Sequence, residues 1–355
     1  MTGLMGQVPA MTTRSRRHVA IWLLAVALLV CAMVVLGGVT RLTGSGLSMT
    51  EWKPVTGWLP PLDLAEWNAA FDRYRQSPEY RDFNRGMSLD EFRTIFWYEY
   101  AHRLLGRVLG LAFMAPFGWF LVTRQLPRRL ALWLAFILAL GGLQGVLGWF
   151  MVASGLVDRP SVSPFRLAMH LALAFAILGM LVWTAASLLG DPGYGSAEPG
   201  VRAPRRRALW ILALVSLTIV AGAFVAGLDA GLYYNTFPLM DGRLVPASWA
   251  DMEPWWINPF LNPAAAQFNH RFLAVVTLVA ALLMWRSFHG LPLMARTRHL
   301  AASAALAAVV QAGLGIATLL AYVPVWLGAL HQAGALVVFT LALLVVHSLR
   351  QRVTP

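Results

Sequence analysis

Apolar runs of about 20 residues recur eight times along the chain, at about 19–39, 96–122, 130–152, 166–189, 208–228, 265–287, 300–322 and 328–349. A hydrocarbon layer roughly 30 Å thick takes about 20 residues of helix to cross, and backbone groups left unpaired inside it are too costly to tolerate. The pattern predicts an all-α integral membrane protein with eight transmembrane helices. Two of the intervening polar segments, 40–95 and 229–264, exceed the roughly 15 residues of ordinary connections and are expected to carry structure or function. Ser88-Leu89-Asp90-Glu91 reads as a capping box that starts a short helix leading into the second span. The first run follows Arg14, Arg16 and Arg17 as a signal peptide would. It is too long for such a segment and ends in Gly37-Gly38-Val39 without a small-x-small cleavage pattern, so it is expected to remain as an anchor.

Composition sharpens this picture. Of 355 residues, 58% are hydrophobic and 12% charged, about half the charge a soluble domain carries, which excludes soluble globular and disordered classes. The net charge of +12 does not indicate nucleic acid, because the basic residues form short clusters between apolar runs. Segments 1–18, 123–129, 190–207, 286–299 and 350–355 hold 15 Lys and Arg against two acids, Asp191 and Glu198; the rest of the chain holds 13 against 14. By the positive-inside rule both termini are expected in the cytoplasm, so each even-numbered span begins at the outer face. The one cysteine, Cys31, excludes an intramolecular disulfide, a Cys-rich zinc site, an iron–sulfur cluster and a C-x-x-C-H haem attachment.

The chain also repeats itself at an offset of roughly 165 residues. Glu99-Tyr100-Ala101-His102-Arg103 is echoed by Gln267-Phe268-Asn269-His270-Arg271, Leu143-Gln144-Gly145-Val146-Leu147-Gly148 by Val310-Gln311-Ala312-Gly313-Leu314-Gly315, and Ala168-Met169-His170 by Ala329-Leu330-His331. Two pseudo-symmetric four-helix bundles in parallel orientation are expected, divided as 1–190 and 191–355. His18, His289, His299 and His347 lie in or beside the basic segments and need no special role. His102, His170, His270 and His331 each fall a few residues inside an even-numbered span and so share one depth. A lone membrane histidine usually makes an interhelical hydrogen bond. Four at one depth, paired across a repeat, instead fit axial ligation of haem iron by two imidazoles from neighbouring helices. Zinc would need further Cys, Asp or Glu ligands, and only Glu99 is near.

Arg103 and Arg271 each follow a histidine near the outer headgroup level, where a guanidinium suits a porphyrin propionate, although snorkelling explains the position equally well. Glu99 stands four residues before Arg103, the spacing of a helical ion pair, yet the second half has Gln267 in its place. A carboxylate beside only one of two sites suggests that they do different jobs. Gln144 and Gln311 have the placement of helix-to-helix hydrogen-bonding groups. Trp97, Tyr98, Trp255 and Trp256 fit an outer aromatic belt.

Several long strings, in order, resemble the haem A synthase family: Gly37 to Met49, Glu51-Trp52-Lys53-Pro54, Pro78-Glu79-Tyr80 with Asn84-Arg85-Gly86-Met87, Glu99 to Arg107, Gly231 to Gly242, and Gln267 to Arg271. The resemblance covers nearly the whole chain. Residues 40–95 contain none of the cysteines that some members carry there, so the match is to the cysteine-free branch shared by proteobacterial and mitochondrial enzymes. It implies an inner-membrane enzyme that hydroxylates one methyl group of haem O twice, giving the formyl group of haem A for cytochrome oxidase. It implies haem b as cofactor, held by His270 and His331 on the outer, periplasmic side, with His102, His170 and Glu99 in the substrate half. Either one first-half histidine leaves the substrate iron, or the porphyrin is oxidised and attacked by water while Glu99 takes a proton; the sequence is compatible with both. Implied partners are haem O, a haem O synthase, an electron donor of open identity and the lipid bilayer, with a homo-oligomer compatible and no nucleic acid. A dihaem b-type carrier that oxidises quinol and a haem transporter are the competing readings. Reporter fusions test the orientation: those after residues 125, 200 and 295 are expected to report cytoplasm and those after 60 and 245 the exterior. A cytoplasmic signal at 60 would overturn the eight-span assignment.

Overall fold

The computed structural model describes residues 11–53, 56–155, 162–190 and 201–350. Pro54, Asp191, Glu198 and Arg352, used in the sequence reading, lie outside these. The described residues form helices α1 (Thr13–Leu42), α2 (Leu64–Arg75), α3 (Pro78–Asp82), α4 (Leu89–Val122), α5 (Arg128–Gly155), α6 (Pro164–Leu189), α7 (Arg202–Gly227), α8 (Asn258–Leu261), α9 (Pro263–His289), α10 (Ala295–Leu320) and α11 (Val325–Ser348), with three short 3-10 turns between α7 and α8. Eight of them are long and apolar enough to span a bilayer. Even the shortest, α11 with 24 residues, is about 36 Å long at about 1.5 Å per residue, so every span reaches beyond the hydrocarbon layer. The capping box at Ser88 is present with both of its bonds. The short helix expected there runs on without a break as the first turns of α4, because nothing between Leu89 and Phe96 interrupts the ladder.

Helices α1, α4, α5 and α6 pack in a closed ring, and α7, α9, α10 and α11 form a second. The rings meet where α6 lies against α7 and α11 against α1 and α6. Val19, Leu23, Val26 and Val30 of α1, Phe113 and Phe117 of α4, Leu178 and Leu181 of α6 and Phe339 and Val346 of α11 are buried in one continuous core across this junction. Helix α1 is packed into this core along its length.

Two polar contacts fix the junction. Gln332 of α11 donates through Nε2 to the Val34 carbonyl of α1 at 3.0 Å. It fits because Gly38 lies beneath it: a Cβ there would stand 1.6 Å from Gln332 Oε1. At the outer end, Arg41 holds both carboxylate oxygens of Asp229 at 2.9 and 2.8 Å, tying α1 to the segment that follows α7.

The first long outer segment is built on a compact aromatic cluster of its own. Asp63 and Ser77 cap α2 and α3, and Trp67, Phe71 and Tyr74 of α2 pack against Phe92, Phe96 and Tyr100 of α4. The Tyr100 hydroxyl donates to the Trp58 carbonyl at 2.6 Å, and Arg107 reaches the Lys53 carbonyl at 2.9 Å. Trp97, Tyr98, Trp255 and Trp256 are exposed, as an aromatic belt requires.

The α1–α11 contact makes a stability prediction. Gly38→Ala forces the Gln332 side chain off its partner and overpacks the seam, a change that costs about 1–3 kcal/mol. Adding Gln332→Ala in the same chain is expected to restore most of the lost thermal stability in detergent, and equal destabilisation of single and double variants would show that the two residues do not meet.

Candidate functional site

The four histidines named from the sequence lie on alternate spans in the N-terminal halves of their helices: His102 on α4, His170 on α6, His270 on α9 and His331 on α11. The structure brings them together in pairs within each ring. The His270 and His331 rings are 6.3 Å apart between centroids and cross at 88°. A metal bound by an imidazole nitrogen sits about 2 Å from it, which puts the centres of two rings on opposite sides of one iron roughly 6 Å apart. His270 Nδ1 donates to the Thr218 carbonyl at 3.1 Å, leaving Nε2 as the free nitrogen; a backbone carbonyl on the far nitrogen is the usual way a ligand imidazole is oriented. The second-half pair therefore fits a haem. His102 and His170 lie within Coulombic reach of each other but make no ring contact among the described residues, and His170 Nδ1 is buried without a partner. No cluster of three or more His, Cys, Asp or Glu suited to a bare metal ion occurs among the described residues.

A glycine on the neighbouring odd-numbered span seats every one of these rings; Gly148 and Gly315 stand at matching positions of the sequence repeat and Gly37 in a family string, but the sequence shows none of the four in this role. A Cβ would stand 3.0 Å from His102 Nε2 at Gly37, 3.4 Å from His170 at Gly148, 3.0 Å from His270 at Gly222 and 2.9 Å from His331 at Gly315. Gln144 and Gln311, expected to bridge helices, do so on the same plan: each donates to the backbone carbonyl of the histidine opposite, His170 at 2.9 Å and His331 at 2.8 Å. The amide thus pins the helical turn that carries the imidazole, while the glycine lets the two backbones come close enough for it to reach.

The residue after the first histidine of each pair is rotated by about 100° on the helix and points to the outer segment of its own half. Arg103 donates to the carbonyls of Glu51 at 2.7 Å and Met49 at 2.8 Å, and Arg271 to those of Thr236 at 2.8 Å and Tyr234 at 2.7 Å. Both forks are engaged by the protein itself. Arg271 keeps one buried donor, Nε, without a partner.

Glu99 pairs with Arg103 as its spacing suggests, but the pair is no exposed surface contact. Its side chains are 3% and 9% accessible, and Glu99 Oε2 also accepts from the Ser48 hydroxyl and the Met49 amide, both at 2.7 Å. The carboxylate is a buried acceptor with charged and neutral donors converging on it. Ser48 and Met49, supplied by the turn after α1, are partners that no spacing within α4 could reveal. Gln267 holds the matching place in the second ring, donating to the Tyr234 carbonyl at 3.1 Å with its own oxygen unpartnered.

Eight long spans in two rings, with a facing pair of imidazoles in the second ring and two further histidines, His102 and His170, in the first, define a polytopic helical membrane protein. The chain belongs to the cytochrome oxidase assembly protein family (COX15-CtaA), whose pattern it matches over residues 20–343. It is 49% identical over 338 residues to a protein of Nitrosospira multiformis named "Heme A synthase", covering 95% of both chains. Proteins of the same name from Rhodospirillum centenum and Parvibaculum lavamentivorans are each 50% identical to it, over 98% and 95% of this chain and 92% and 96% of theirs.

The glycine seats can be tested directly. Gly315→Ala is expected to displace His331 from its place opposite His270 and lower whatever haem absorbance the purified protein carries. Gly313→Ala, where a Cβ meets nothing within 4 Å, is expected to leave it intact.

Proposed function

We propose that the chain is a haem A synthase that oxidises a methyl group of haem O to a formyl group by two successive hydroxylations. Haem O binds in the first ring, within 1–190, and a resident haem b in the second, within 191–355. The observation that carries this reading is the inequality of two sites built on one pattern. A buried, triply donated carboxylate, Glu99, stands one turn from His102, whereas a neutral amide, Gln267, stands one turn from His270. A carrier that only shuttles electrons between two haems has no use for that difference, and the relatives' shared name supports the enzyme over the carrier. Both termini lie in the cytoplasm and both sites toward the periplasmic face of an inner membrane, which the charge distribution supports.

A haem held by His270 and His331 supplies the one-electron chemistry that side chains lack. The chain's own contributions follow from the contacts above. The carbonyl of Thr218 fixes the tautomer of His270, Gln311 fixes the turn of His331, and Arg271 Nε remains as a donor for a propionate. In the first ring, His102 and His170 hold the substrate iron. Glu99 is placed to accept a proton given up as the methyl group is oxidised, while Ser48, the Met49 amide and Arg103 keep the carboxylate aimed. A haem O synthase is the natural source of so insoluble a substrate.

The rings give separable predictions. His270→Ala or His331→Ala is expected to lose most of the resident haem absorbance; His102→Ala or His170→Ala is expected to keep it while abolishing conversion. Equal loss from all four would favour the dihaem carrier. Glu99→Gln preserves shape and one acceptor oxygen, and is expected to slow conversion by a factor on the order of 10²–10⁴ with haem b retained. The haem O to haem A ratio in membranes at matched protein levels reads this out.

A further inference from the structure

Within the outer aromatic cluster lies a carboxyl group that the scheme above does not use. Glu79, on α3, is 8% exposed. Its Oε2 accepts from the Tyr74 hydroxyl at 3.2 Å, and that hydroxyl in turn accepts from Asn84 Nδ2 at 2.6 Å. Tyr74 is fully buried. Glu79 makes no ion pair among the described residues. Glu51, nearer the surface of the same segment, pairs instead with Lys53 and Arg73, and its carboxyl is held below the usual range by the Lys53 hydrogen bond. A buried carboxyl with a neutral partner and no cation is poorly suited to holding the loop together; a hydrophobic residue would serve better. It is well suited to gaining and losing a proton.

Its neighbours indicate which proton. Glu99 exerts a Coulombic influence on both Glu79 and Tyr74, and the Met49 amide that binds Glu99 belongs to a residue packed into the same cluster as Tyr74. The remaining charged or titratable groups around it are Arg103, paired with Glu99 on α4, Tyr80, whose ring meets Tyr74 edge-on at 5.8 Å, Arg75 stacked over Phe71 and Tyr80, and Arg85 near Tyr80. None of these cations is paired with Glu79. The strings Pro78-Glu79-Tyr80 and Asn84 to Met87 thus find their use in fixing one buried carboxyl within electrostatic reach of Glu99.

We propose that Glu79 is the proton relay between Glu99 and the outer aqueous phase. The inference rests on the reading of Glu99 as proton acceptor. The step is a proton transfer alone: the O–H bond of protonated Glu99 breaks, an O–H bond forms on the Glu79 carboxylate by way of intervening water, and Glu79 then releases the proton outward. No electrons move. Tyr74 and Asn84 are positioning residues, holding the receiving oxygen in place. Burial pushes the Glu79 carboxyl up to about 7, with Glu99 adding to the effect and the Tyr74 hydroxyl opposing it, so the group changes state where the outer compartment does.

The test measures haem O conversion by the full-length protein in membranes across a pH range bracketing 7, beside resident haem content. Glu79 must be ionised to receive a proton, so the wild-type rate is expected to rise as pH passes through about 7. Glu79→Gln is expected to run at least about tenfold slower on the alkaline side, without that rise and with haem b retained. Glu79→Asp is expected to recover part of the rate and the rise. Tyr74→Phe keeps the carboxyl but removes the hydroxyl that favours its ionised form, so the rise is expected to move to higher pH. Rates of Glu79→Gln that superpose on wild type would overturn the relay, as would Gln and Asp variants slowed equally at every pH with the rise unmoved. Glu99→Gln runs alongside: full activity there defeats the reading of Glu99, whereas an inactive Glu99→Gln beside an unaffected Glu79→Gln defeats the relay alone.

Discussion

A guanidinium closes the same end of each ring, and the arrangement of both sites depends on it. Arg103 and Arg271 each fork onto two carbonyls of the segment that follows the first helix of their own half. Those segments leave the membrane as irregular chain, with carbonyls that no helix or sheet satisfies, and near hydrocarbon an unpaired carbonyl is costly. One side chain answers two such groups, folds the segment down over the ring, and fixes the rotation of its own helix. With that rotation set, the preceding residue, His102 or His270, can only face inward. The histidine is thus oriented by its neighbour in sequence as well as by the glycine it leans on.

The halves diverge where this clamp meets its next partner. In the first, Glu99 joins Arg103 and adds the Ser48 hydroxyl and Met49 amide, so the segment is tied by charge as well as by hydrogen bonds. In the second, Gln267 offers one bond to Tyr234 and leaves its oxygen idle. The seams between the rings differ as well: Leu171, after His170, packs in an apolar cluster with Ala223, while Gln332, after His331, crosses to α1. Both polar departures touch α1 or the turn that follows it.

What the sequence disclosed and what it concealed follow from the range of each contact. The eight spans were legible because hydrocarbon imposes one period and one length on every crossing segment. The histidines, Arg103, Arg271, Gln144 and Gln311 stood out as polar residues repeated at matching depth in apolar surroundings. The ion pair that spacing suggests at Glu99 is present, but its burial comes with Ser48 and Met49, about 50 residues away in sequence, and helical spacing carries no information about that. The glycine seats were hidden for another reason. In a chain with 30 glycines, one that accommodates an imidazole looks like any that merely eases helix packing. The Tyr74, Glu79 and Asn84 network was hidden because its members, five and ten residues apart, meet through the turns on either side of α3 inside an aromatic shell, a geometry no helical or strand period describes.

Consecutive glycines on α1 serve opposite halves of the molecule: Gly37 receives His102 of α4, and Gly38 makes room for Gln332 of α11. The first of the eight described spans is therefore packed on one flank by the eighth, and that same helix carries the imidazole that faces His270, so the insertion of α11 completes the seam between the rings and the second histidine pair at once.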